Sequence, residues 1–179
     1  RGGSVVIPTF TVGRAQAILY HLWKLKQEGR LGIVPVYLDS PMAIDATGLM
    51  QKHREDHRLT QEQCDGACPI ATYVRDVEES KALMVNPLPK VILAGSGMAT
   101  SGRVLYHLKT LGPDGRNTIL LSGFQAAGTR GRSLMEGARE LKIHGQWVPI
   151  AAEVKNLDIL SAHADAGEIL RWLSGFQRP

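Results

Sequence analysis

The chain has 179 residues, 44% hydrophobic and 21% charged, with a formal net charge of +4 at pH 7. That length suffices for one domain with its own core, and the composition excludes a disordered or fibrous chain. No run approaches the ~18 apolar residues of a membrane helix, no signal-peptide pattern opens the sequence, and two cysteines are too few for a disulfide framework, so a reducing cytoplasm is the expected setting.

The elements follow one another as strand and helix. Val5-Val6-Ile7 predicts a buried strand. Residues 13–28 predict an amphipathic helix, with Ala15, Ile18, Leu19, Leu22 and Leu25 near 3.6 spacing and Gly29 as its stop. Residues 33–38 predict a second strand, whose internal Pro35 favours an edge or irregular position. Ser40-Pro41 is a helix start, Ser as cap and Pro at the first helical position, for a helix to about residue 54. Residues 55–75 are polar and give no clear period. A short helix over 77–84, a strand over 91–94, a helix over 101–111 and a strand over 118–122 follow. A short helix is expected over 133–136 and a hairpin around His144-Gly145-Gln146. A last strand over 154–160 precedes a helix that Asp165 opens, with Glu168 completing a capping box. Alternation of this kind predicts an α/β fold: a mostly parallel sheet with helices on both faces, plus a hairpin near the C-terminus, in a single domain spanning 1–179.

Two segments carry candidate chemistry. Gly95-Ser96-Gly97-Met98-Ala99-Thr100-Ser101-Gly102 sits between a strand and a helix, where backbone N–H groups and the positive end of a helix dipole suit a phosphate. Gly95 and Gly97 allow close approach; Ser96, Thr100 and Ser101 add hydroxyls. It is neither a Walker A loop nor a full dinucleotide fingerprint, and the bland alternative is a turn in which Ser101 caps the helix. In Leu160-Ser161-Ala162-His163-Ala164-Asp165, His163 lies at a strand end before a capped helix, a position suited to proton transfer. Asp39 ends the second strand and either acts in catalysis or braces a loop. Arg14, at the first strand-to-helix junction, either reaches a phosphate or pairs with an acid such as Asp39. His53, His57, Cys64 and Cys68 offer four zinc-type ligands, but C-x3-C is looser than the usual zinc spacing, and a polar helix end followed by buried thiols is the favoured reading.

The order of these segments resembles the β-CASP cassette of metallo-β-lactamase-fold nucleases. The resemblance rests on residues 2–16 (Gly-Gly-Ser-Val-Val-Ile-Pro-Thr-Phe-Thr-Val-Gly-Arg-Ala-Gln), on Tyr37-Leu38-Asp39-Ser40-Pro41-Met42-Ala43, on the 95–102 loop and on Ser161-Ala162-His163-Ala164-Asp165. It implies a cassette that caps a zinc-binding lactamase domain, with single-stranded RNA passing between the two. It implies that His163 protonates the leaving oxygen or holds the scissile phosphate, that Ser96, Gly97, Ser101, Ser161 and Arg14 contact substrate or phosphate, and that Asp39 supports them. It also implies that the two zinc ions and their ligands, an H-x-H-x-D-H motif among them, belong to flanking sequence, with no metal held by this fragment. The piece alone is then expected to be inactive as a nuclease. A homodimer is a further candidate assembly. The rival expectations are a non-catalytic RNA-docking or dimerisation module and an unrelated nucleotide-binding α/β domain using the Gly95 loop.

Overall fold

A computed structural model of the chain describes residues 2–157 and 164–176. Its strands are β1 (Val5–Pro8), β2 (Val36–Asp39), β3 (Ala71–Tyr73), β4 (Val91–Ala94), β5 (Thr118–Leu121), β6 (Glu140–Ile143), β7 (Gln146–Pro149) and β8 (Glu153–Asn156). Six of them form one sheet in the order β3-β2-β4-β1-β5-β8, and every pairing in it is parallel. β6 and β7 form a separate antiparallel hairpin with Lys142 opposite Trp147.

Helices cover both faces of the sheet, and the strands show why. All four residues of β4 are buried. Successive side chains point to opposite faces, so Ile92 and Ala94 enter one apolar cluster while Val91 and Leu93 enter the other. A strand buried on both faces reads as an unbroken apolar run. One cluster is closed by α1 (Arg14–Gln27) through Ala15, Ile18, Leu19 and Leu22, and by α2 (Pro41–Lys52) through Ala43 and Ile44. After α3 (Gln61–Ala67) and α4 (Val77–Val85), the other cluster is closed by α5 (Val104–Leu111) through Val104, Leu105 and Leu108. Leu134 of α6 (Arg130–Met135) and the inward residues Leu141, Ile143 and Val148 of the hairpin join it.

Several expectations change. The strand expected over 33–38 begins only after Pro35, and β2 lies inside the sheet between β3 and β4. Pro35 lacks a donor, but it precedes the ladder, where its carbonyl accepts from Val91, so it imposes no edge position. The patternless 55–75 stretch holds α3, capped by Thr60 with Gln63 in a capping box, and β3. The helix expected from Ser101 starts at Val104, and no side chain caps it. The short helix begins earlier than expected, at Arg130, because Thr129 caps it. The last strand is β8, and the C-terminal helix α7 (Ala166–Ser174) carries the expected Asp165–Glu168 capping box. The expected strand end at 158–160 lies outside the described residues, as do Ser161 and His163.

From β1 the chain moves to β2 and β3, returns to β4 between β2 and β1, then crosses to β5 and β8. The connection leaving β1 enters α1 on one face, and the one leaving β4 enters α5 on the other. Such a reversal opens a crevice at the carboxyl ends of neighbouring strands, the usual ligand position in open parallel sheets.

Candidate functional site

A crevice of about 380 Å³ occupies that position. Thr11 lines it from the loop after β1, Asp39, Ser40, Pro41 and Met42 from the end of β2, and Gly95, Ser96, Ser101, Gly102 and Arg103 from the loop after β4.

The glycine loop is held by contacts that its small residues make possible. A Cβ on Gly97 would stand 2.5 Å from the Phe10 ring. Gly102 has φ +76°, and a Cβ there would meet the Gly95 carbonyl oxygen at 2.8 Å, so both positions need glycine. The Gly95 carbonyl accepts from Val104 N at 3.1 Å, and the Ser96 and Thr100 hydroxyls lie 3.0 Å apart. Gln125 Nε2 donates to the carbonyls of Gly97 and Gly123, tying this loop to the end of β5. Arg130 braces it from outside, Nη1 donating to the Ala99 and Thr100 carbonyls and Nε to that of Lys142. The N–H groups of Ser101, Gly102 and Arg103 make no hydrogen bond within the described residues, which leaves them for an acceptor in the crevice.

Beneath the loop lies a polar network around Asp39, whose side chain is fully buried. Arg103 Nη1 donates to Oδ1 at 2.6 Å; Ser80 Oγ and His107 Nε2 donate to Oδ2 at 2.5 and 2.6 Å. Arg103 also donates to the carbonyls of Val74 and Arg75. Burial alone would raise the Asp39 pKa, but hydrogen bonds from His107, Ser80 and Arg103 outweigh it and hold the carboxyl below its ordinary value. With both oxygens engaged, the geometry is that of a brace: it fixes Arg103, and with it the start of α5, against the ends of β2 and β3.

The expected alternative of an Arg14–Asp39 pair does not form, because Arg103 and His107 occupy the carboxylate. Arg14 is instead the first residue of α1, turned inward by the Gly13 reversal at φ +77°. It is 6% exposed, its Nε is buried without an acceptor among the described residues, and its guanidinium lies beside Gly123 at the end of β5. Burial lowers its pKa from the usual value, yet an arginine stays charged at neutral pH. Gln125 Oε1 is a second buried atom without a partner on the same side.

The four zinc-type residues do not converge. Cys64 and Cys68 are buried with sulfurs 3.9 Å apart, while His57 bonds the Met50 carbonyl and the Leu59 N–H. Among the described residues the one group of potential ligands within reach of each other is the exposed His53, Glu55 and Asp56.

Sequence reasoning missed Ser80, Arg103, His107 and Gln125. A signal was available for two of them: Arg103 and His107 stand four apart, on one face of a helix, directly after a glycine loop. Ser80 and Gln125 reach the site only through tertiary packing.

Residues 15–134 match the family model described as the Beta-Casp domain, a stretch that contains the crevice residues after β2 and β4. The chain belongs to the Beta-Casp family. Residues 147–179 of this β-CASP chain also match the model described as a Zn-dependent metallo-hydrolase RNA specificity domain. The chain is 39% identical to the protein named Ribonuclease TTHA0252 of Thermus thermophilus, over 99% of this chain and 42% of that protein. It is 34% identical to an RNase J-like protein of Methanocaldococcus jannaschii, over 99% of this chain and 41% of that one. Transcription termination factor FttA of Methanosarcina mazei is 33% identical over 99% of the chain and 30% of its own length. The chain thus spans less than half the length of these relatives.

Proposed function

We propose that this chain is the substrate-capping, RNA-binding β-CASP part of a zinc-dependent ribonuclease that hydrolyses phosphodiester bonds in RNA processing. The observation that carries the reading is Arg14. Its Nε is buried with no acceptor among the described residues, and a buried donor left unsatisfied costs about 1–3 kcal/mol unless an acceptor joins it. Arg14 stands at the positive end of α1, where a cation is disfavoured and an anion favoured. A phosphate there satisfies both. Ser96 and Ser101 line the crevice and supply a second set of contacts, through the Ser101 N–H and two hydroxyls; Arg14 and Gly97 stand outside that lining, Gly97 letting the loop close on Phe10, and Asp39 supports the set by holding Arg103. The family resemblance adds Ser161 as a substrate contact and His163 as the group that protonates the leaving oxygen or holds the scissile phosphate.

Zinc enters this reading through the Zn-dependent description of the family matched by residues 147–179. The described residues do not fit it at the crevice: Asp39 is saturated by three donors, and the remaining polar lining groups are hydroxyls, amides and Arg103. We assign the two zinc ions to the metallo-β-lactamase part of the whole protein. The partners on this reading are single-stranded RNA, that lactamase part and, as a candidate assembly, a second copy. No helix among the described residues is long and apolar enough to cross a membrane, and two free thiols are in keeping with the cytoplasm.

The test is cleavage of an end-labelled single-stranded RNA with zinc. The whole protein cuts and this chain alone binds without cutting. His163→Ala in the whole protein abolishes cutting and spares binding. Cutting by the isolated chain, or none by the whole protein, refutes the reading.

A further inference from the structure

We infer that the tip of the β6–β7 hairpin and the exposed side of α5 form a single-stranded RNA track that continues from the crevice; this rests on the reading of the crevice as an RNA site. Three features meet there. Tyr106 of α5 is 52% exposed and stacks on His144 of the hairpin turn, with ring centroids 4.5 Å apart. Trp147, 64% exposed, stands on the hairpin's outer face opposite Lys142. Arg130 joins the hairpin to the glycine loop, bonding the Lys142 carbonyl with Nε and the Thr100 carbonyl with Nη1.

The aromatics have no structural reason to be outside. The inward residues of the same hairpin, Leu141, Ile143 and Val148, already complete the core, and α5 buries Val104, Leu105 and Leu108 without help from Tyr106. Rings displayed on the hairpin tip and on α5 beside it leave apolar surface in water, at a cost that scales with the area.

The charge around them selects the occupant. Lys109 lies one turn from Tyr106 on α5, Arg130 is bonded to the loop, and Lys142 lies across from Trp147. The outer face of the hairpin adds one carboxylate, Glu140, and α5 adds none. Exposed rings interleaved with cations match a strand whose bases stack on π-faces while its phosphates meet ammonium and guanidinium groups. A protein partner recognised through the same rings would bury them without needing the cations. The Arg130 bridge makes this surface continuous with the crevice, so a strand seated against the 95–102 loop leaves it across Thr100 towards Tyr106, His144 and Trp147.

The test measures anisotropy of labelled single-stranded RNAs of about 4 and about 12 nucleotides, lengths that bracket a short and an extended binding site. The whole protein is used, in chelator so that the RNA stays intact. Trp147→Ala and Tyr106→Ala each weaken the longer RNA about 5- to 100-fold, the scale of one lost base stack, and leave the shorter one nearly unchanged. Trp147→Phe restores most of the loss, and Lys142→Ala lowers the salt slope by about 0.7. Unfolding midpoints of the Trp147 and Lys142 variants stay at wild type, because these side chains are exposed, while Tyr106→Ala loses its ring contact with His144 and melts slightly lower. Three results overturn the inference. Unchanged affinity for the longer RNA in both alanine variants sinks the track and leaves the crevice reading standing. Loss of self-association with unchanged RNA binding makes the surface an interface between copies. Absence of binding by the unaltered protein to either RNA sinks the crevice reading and the track together.

Discussion

Replacing Arg14 by methionine separates the two things this residue does. In the free protein its guanidinium is a liability: the residue is 6% exposed, Nε has no acceptor, and the charge sits at the positive end of α1. Removing an unsatisfied buried polar group recovers about 1–3 kcal/mol, and methionine replaces most of the aliphatic stem, so lost packing offsets only part of it. A chain of this size gains about 2–4 °C in Tm per kcal/mol, so Arg14→Met is expected to melt about 2–4 °C higher than the unaltered chain. In the RNA complex the sign reverses. A charge-assisted hydrogen bond to phosphate contributes about 1.5–3 kcal/mol, so RNA affinity falls about 10- to 150-fold. Arg14→Lys keeps the charge but loses the planar fork, and its affinity falls between the two. Calorimetry on the free proteins and anisotropy with a short RNA read both halves. An Arg14→Met protein that melts lower and binds RNA as before would refute the reasoning, because it would mean that the guanidinium is a satisfied structural group.

Four further outcomes follow from the geometry. Asp39→Asn preserves shape but leaves Arg103 without its counter-charge, and breaking a buried pair costs about 3–5 kcal/mol; urea unfolding measures it, and a loss under 1 kcal/mol contradicts the network. Because the folded-state pKa of Asp39 is depressed, its contribution is full above the unfolded value of about 3.9 and is lost as pH falls towards the folded value; the urea midpoint therefore drops below pH 4, and the drop shrinks in Asp39→Asn. Gly97→Ala forces its Cβ onto the Phe10 ring, which costs about 1–3 kcal/mol of stability and weakens RNA binding through the displaced loop; a variant with unchanged stability shows that Phe10 yields freely. Cys64 and Cys68 resist alkylation at pH 8 until the protein unfolds, since both are buried and burial beside Cys64 pushes the Cys68 thiol up to about 12; rapid labelling of the native protein, read by mass spectrometry, contradicts the packing.

What local chemistry settles was legible in the sequence. The strands β1, β4 and β5 announce themselves as short apolar runs, α1 by its 3.6 spacing, α2 by Ser40-Pro41, and α7 by the reciprocal Asp165–Glu168 cap, because each signal is written within one turn or one strand. The β-CASP resemblance was legible too, since it rests on four ordered motifs. Strand order was not. Pro35 looked like an edge marker, yet β2 is internal, because what matters is which ladder positions need a donor, and that depends on neighbours distant in sequence. β3 was invisible: three residues carry no measurable period and gain strand structure only by pairing with β2. The site divides the same way. Glycine at 97 and 102 could be read as permitting close approach, but that Phe10 and the Gly95 carbonyl are what approach emerges only from packing. Arg14 and Asp39 were both legible as charges at strand ends. Only the tertiary structure decided that Asp39 is consumed by Ser80, Arg103 and His107 while Arg14 has no acceptor among the described residues, because the partner of a buried charge is fixed by which strand ends the sheet places side by side.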